Sequence, residues 1–216
     1  MAADIDRFMK NARSRLTGAT DDVLQLELFN TMDEFFKNSN VWNEDIDITV
    51  AGGAPAGTIY ELTPTGAALI HNLLWVYQVP SSSTIGRGAG VSADMSVPGE
   101  LTLRTQPSSA QVYRVTVSLT VQDPQARSGY VTFPAWVLAR YRDTILDGLL
   151  SKMMSQPSKP YTNVQMSVFH MRKFKIGYTA AKVEWQRNNG YRRQAWVFPG
   201  FAGGSQRGRS GWGGPV

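Results

Sequence analysis

The hydrophobic period of this chain changes twice, and no other feature constrains its fold as strongly. Up to about residue 40, apolar residues recur every three or four positions; from Trp42 they alternate; from Pro134 the longer spacing returns. A period of 3.6 lays an apolar stripe along a helix, whereas a period of 2 gives a strand one apolar face. The chain is therefore expected to run as two helices, an antiparallel β region of about 80 residues, and two longer helices.

Residues 4–16 carry Asp4 and Asp6 at one end and Arg13 and Arg15 at the other, as the helix dipole favours. Thr20 is placed to cap a second helix, in which Leu24, Leu28, Met32 and Phe35 form a stripe that Phe29 and Phe36 widen. Ile46, Ile48 and Val50 then alternate with Asp45, Asp47 and Thr49. Strands are expected at 58–62, 68–79, 100–105 and 111–122, with 80–99 an exposed loop. In 111–122, QVYRVTVSLTVQ, one face is predicted to be buried and the other wetter. Pro134 suits the first turn of a third helix with the stripe Leu138, Tyr141, Ile145, Leu149 and Met153. Pro157 and Pro160 break it, and Thr162 or Asn163 caps a fourth. There Val164, Val168, Met171, Phe174, Tyr178, Ala181 and Trp185 form the predicted buried stripe, with Arg172, Lys175 and Lys182 on a separate basic side. The expected class is α+β: a four-helix bundle (1–41 and 134–190), an inserted antiparallel β lobe (42–133) and an extended C-terminal tail (191–216).

Charge follows this division. Residues 1–133 hold nine Lys/Arg against fourteen Asp/Glu, a net of −5, and residues 134–216 hold thirteen against three, a net of +10. The C-terminal part is thus suited to an anionic partner, either nucleic acid or an acidic protein surface. The chain has no cysteine, which excludes disulfides, thiolate nucleophiles and Cys-ligated metals. No stretch is long and apolar enough to predict a membrane helix, and the first sixteen residues have no apolar core of the secretory kind.

Candidate chemistry is sparse. His71 lies in an apolar strand run, where a core or half-buried histidine is expected; His170 is expected on a helix surface. Neither has a partner at metal-ligand spacing, so no metal site is predicted. Glu44, Asp45 and Asp47 are close in sequence. The last two share a strand face able in principle to bind Ca²⁺ or act as an acid/base pair, although the solvated face of an edge strand explains them better. Gly86-Arg87-Gly88-Ala89-Gly90 lacks the lysine of a phosphate-binding loop and reads as a loop at a subunit contact. No catalytic group and no cofactor follow from these patterns. The tail alternates Arg192, Arg193, Arg207 and Arg209 with Trp196, Phe198, Phe201 and Trp212 among glycines. Such a segment builds no core. It suits insertion of aromatic anchors into a protein partner, stacking on bases as RGG-like segments do, or plain solubilisation.

Four stretches carry a resemblance: LQLELFNTMDEFFKNSNVWNEDIDITV, YELTPTGAALIHNLLWVY, FPAWVLARYRDTILDGLLSKMMSQPSKPYTN and FHMRKFKIGYTAAKVEWQRNNG. In this order they resemble the head-to-tail connector (adaptor) proteins of tailed bacteriophages, particularly the short-tailed type. The chain departs from that pattern at 80–99 and at VQDPQARSGYVTF. The resemblance implies a structural, non-enzymatic virion subunit of the neck, assembled in the host cytoplasm. It implies a homo-oligomeric ring, usually of twelve copies, between the portal protein and a tail or nozzle protein, with genomic DNA passing through the lumen and no membrane involved. Arg192, Arg193, Trp196, Phe198, Phe201, Arg207, Arg209 and Trp212 would then dock on the portal, while Arg172, Lys175 and Lys182 would face the DNA channel or an acidic partner. Trp42 and Trp75 are expected to serve contacts between ring subunits.

Overall fold

The computed structural model describes residues 2–79, 90–122 and 132–188. The chain begins with α1 (Ala2–Arg15) and α2 (Asp21–Ser39). Gly18 turns between them at φ +87°, a conformation L side chains rarely adopt, and a Cβ there would meet Pro160 Cγ at 2.8 Å. α2 ends on Asn40 in the left-handed region (φ 54°), whose N–H bonds to the carbonyl of Phe36. Six strands follow: β1 (Asn43–Val50), β2 (Ile59–Glu61), β3 (Ala68–Gln78), β4 (Ala93–Val97), β5 (Glu100–Leu103) and β6 (Gln111–Val121). Then come α3 (Ala135–Met154) and α4 (Val164–Asn188). The protein is α+β, with four helices and two small antiparallel sheets among the described residues.

One sheet has the order β1-β6-β3 and the other β2-β5-β4. Their inner faces share one apolar cluster: Val115, Val117 and Leu119 of β6 and Ile70 and Val76 of β3 meet Leu62, Leu101 and Leu103. The alternation of 111–122 forms a strand, as expected, and pairing places it at the centre of its sheet as β6, but its second face is not wet. Thr116, Ser118 and Thr120 are buried as well. α2 covers that face, and the Thr120 hydroxyl donates to Asp33 Oδ1 at 2.8 Å. Hydroxyl side chains suit such a position because each finds a partner there. The expected loop at 80–99 also needs correction, since 93–97 forms β4. Five residues paired with β5 through an irregular register give too short an alternation to read from sequence. Residues 80–89 lie outside the described residues, as do 123–131.

A second apolar cluster joins the helices, with Phe8 and Met9 of α1, Phe35 and Phe36 of α2, Ile145, Leu149 and Met153 of α3 and Phe174 of α4. α3 packs against α1, α2 and α4. The backbones come close because two glycines permit it. A Cβ on Gly148 would lie 2.6 Å from Thr31 Cγ2 and 2.8 Å from the Phe174 ring, and one on Gly177 would lie 2.4 Å from Thr144 Cγ2. Trp42, half-buried, packs against both clusters and lies at the joint between sheets and helices. Trp75 of β3 stacks on Trp185 of α4, with ring centroids 5.5 Å apart and planes 13° apart. Both tryptophans expected at subunit contacts are thus engaged inside the chain.

α3 starts at Ala135 after Pro134, which caps it in extended conformation rather than entering its first turn. Its stripe of Leu138, Ile145, Leu149 and Met153 is buried. α4 differs from expectation in its first turns. Asn163 caps it, its Oδ1 accepting the Met166 N–H at 3.1 Å. Val164 and Val168 are exposed, and Ser167 and His170 take the inward positions. Phe174 and Ala181 then continue the buried line, with Met171, Tyr178 and Trp185 packed against the cluster.

Candidate functional site

Glu44, Asp45 and Asp47 serve the sheet. β1 is an edge strand paired with β6, which sets Asp45 opposite Thr116 and Asp47 opposite Arg114. Arg114 donates Nε and Nη2 to the two oxygens of Asp47 at 2.6 and 2.7 Å. That paired geometry holds the Asp47 carboxyl below the usual carboxylate range. Thr116 Oγ1 donates to Asp45, and Glu44 accepts from the N–H and hydroxyl of Thr65, closing the turn before β3. His71 lies on β3, across β6 from β1, where two strand spacings separate them by about 10 Å. It sits between Ile70 and Asn72, where the β3–β6 register shifts, and is half-buried. Burial first, then the nearby Lys37, pushes its pKa down, against a smaller opposing pull from Asp33. Asp45, Asp47 and His71 do not converge. Among the described residues no group of three or more His, Asp or Glu is placed to hold a metal ion.

His170 is not on the surface. It is 7% exposed, and its Nδ1 lies 2.7 Å from Asp147 Oδ1 of α3. The pair, together with Ser167 Oγ donating to the Ser151 carbonyl at 2.7 Å, supplies the polar contacts between the first turns of α4 and the last turns of α3. Nothing in the local sequence marks this pair, because Asp147 and His170 are 23 positions apart and meet only when the helices pack.

The outer face of α4 is the most distinctive surface. Arg172, Lys175 and Lys182, expected on a basic side, are all exposed. α4 carries five cations and a single carboxylate, Glu184, which pairs with Arg140 of α3. Among the described residues none of the five forms an ion pair; Lys173 instead lies over the Phe169 ring, 4.8 Å from its centroid. Apolar side chains share this face: Phe169 is 48% exposed, Ile176 70% and Val183 39%. Phe169, Arg172, Ile176 and Val183 follow one another by three, four and seven positions, a second helical stripe opposite the buried one. The sequence signal was present, since α4 has more apolar residues than one stripe uses.

No described helix is long and apolar enough to cross a membrane. The expected docking residues Arg192, Arg193, Trp196, Phe198, Phe201, Arg207, Arg209 and Trp212 lie outside the described residues, as does Gly86–Ala89 of the glycine-rich loop. Gly90 forms an antiparallel bridge with Tyr77. No protein-family model matches this chain, and no curated protein matches it.

Proposed function

We propose that the chain is a structural subunit of a bacteriophage head-to-tail connector, an adaptor that forms a ring of twelve copies beneath the portal and presents a binding surface to the tail or nozzle protein. In this reading the four helices form a bundle next to the portal, the β region is an inserted lobe, and residues 191–216 grip the portal. The observation that carries it is the character of α4. Its outer face interleaves cations with exposed apolar side chains, and the chain runs on from its C-terminal end into a basic, aromatic segment. Aromatic and arginine side chains dominate binding energy at protein interfaces. Glu44, Asp45 and Asp47, by contrast, bond within the sheet, and His71 stands apart from them on β3. The decisive experiment mixes the purified full chain with isolated portal rings of a short-tailed phage whose neck proteins show the same order of elements. Electron microscopy is expected to show an added ring under the portal; bare portals at saturating subunit would remove the reading.

A second reading has its own support in the five α4 cations without carboxylate partners on that helix's outer face. It makes the chain a nucleic-acid-binding protein that uses this helix and an RGG-like tail. Affinity for duplex DNA would then fall linearly with log salt, with a slope set by the phosphates neutralised. Absence of binding at low salt would end it.

A further inference from the structure

We infer that the outer face of α4 is a contact surface for a second copy of this chain, which offers the outer face of the sheet β2-β5-β4. The inference rests on the reading of the chain as a ring subunit and supplies the two surfaces that such a ring requires. The strand register builds the second surface. Glu61 lies directly opposite Glu100, and Val97 pairs with Glu100 from the other side; Ile59 and Asp94 flank Thr102 in the neighbouring row. Inner positions of these strands, such as Tyr60 and Leu101, point into the sandwich core, so the alternate positions face outward.

This outward patch is the counterpart of α4. Ile59 is 56% exposed and Val97 50%, and both stand beside the two glutamates. Neither Glu61 nor Glu100 forms an ion pair among the described residues. Like charges directly opposite one another across two strands destabilise the pair, and an incoming cation relieves that repulsion. The described β region holds six carboxylates and only two cations, Arg104 and Arg114, and those two are taken by Asp94 and Asp47. On α4, Arg172 and Lys175 stand beside Ile176. Each surface thus interleaves exposed apolar side chains with charge, and the charges are opposite. A nucleic acid would meet the cations but leave Ile176 and Phe169 against a charged backbone.

The two surfaces differ, so the contact is head-to-tail and propagates to a ring or a filament rather than closing as a two-fold dimer. A patch three short strands wide covers about three turns of helix. The contact is therefore small and weak for a free pair of subunits, and strengthens when a template gathers them.

Two charge-reversed full-length variants test this: Arg172→Glu with Lys175→Glu, and Glu61→Lys with Glu100→Lys. All four side chains are exposed, and circular dichroism melts would establish that each variant is folded. Sedimentation at high protein concentration and low salt is expected to show self-association of the wild type. Each variant alone should associate at least about tenfold more weakly, and the equimolar mixture should return to within roughly threefold of wild type, because each reversed surface then meets its complement. Three results would overturn the inference: a wild type that stays monomeric, variants that associate as well as wild type, or a mixture that stays as weak as its components. A mixture that associates while the wild type fails to ring the portal would keep this contact and remove the connector reading. A wild type that rings the portal while the mixture stays weak would do the reverse.

Discussion

Arg114 illustrates how a single residue of this chain is spent. Its paired bonds to Asp47 raise its affinity for the proton, and they tie edge strand β1 to the centre of its sheet. Exposed ion pairs usually contribute under about 1 kcal/mol, and this one, partly screened by solvent, belongs near that range. His71 is used differently. Its folded pKa lies below the ordinary 6.5, so the folded chain holds fewer protons than the unfolded chain once pH drops through that value. Stability from this residue is therefore complete at neutral pH and is lost as pH falls below 6.5 toward the folded value. A His71→Gln variant is expected to gain thermal stability relative to wild type on moving from pH 7.5 to pH 5. Melting curves at both values check this, and an unchanged difference would show that Lys37 and burial do not act on His71 as described.

Among the elements, α3 is the one that the other helices meet, and Gly148 sets how closely. Alanine favours a helix over glycine by about 1 kcal/mol, so Gly148→Ala would stabilise an exposed helix. Here the added Cβ runs into Thr31 of α2 and Phe174 of α4 at under 3 Å. Overpacking of this kind costs about 1–3 kcal/mol. Set against the helix gain, the net loss is about 1 kcal/mol, and the variant is expected to melt about 2–4 °C below wild type in a domain of this size. Calorimetry measures it; an unchanged or higher melting temperature would mean the helices separate at little cost. The helices of this core were legible from sequence because the stripes of α2 and α3 are long and regular. α4 was only half legible, since Val164 and Val168 keep the spacing but face outward, and the polar Ser167 and His170 replace them inside by bonding to α3.

For the molecule as a whole, two apolar clusters meet at Trp42, and the charge is divided between an acidic β region and a basic C-terminal part. Trp185, against Trp75, anchors the end of α4 onto the first sheet, three residues before the last described residue. If residues 191–216 are a docking segment, a chain ending at residue 190 retains both clusters and the Trp75–Trp185 stack. It is expected to keep its circular dichroism spectrum and melting temperature within a few degrees while losing the ability to join a portal. Unfolding of the truncated chain would mean that the tail completes the core and would remove it as a separate docking element.

By itself the sequence determined the order of the helices and the β region, the α+β class, the strand that becomes β6, the buried stripes of α2 and α3 and the uneven distribution of charge. These depend on local periodicity and composition, which act over a few residues and need no partner. Only the tertiary structure decided that β6 is central and covered on both faces, that Asp147 meets His170, that Asp45, Asp47 and His71 stand apart, and which residues face inward in the first turns of α4. Each of these depends on which element packs against which, and pairing between residues distant in the chain leaves no periodic trace in either segment.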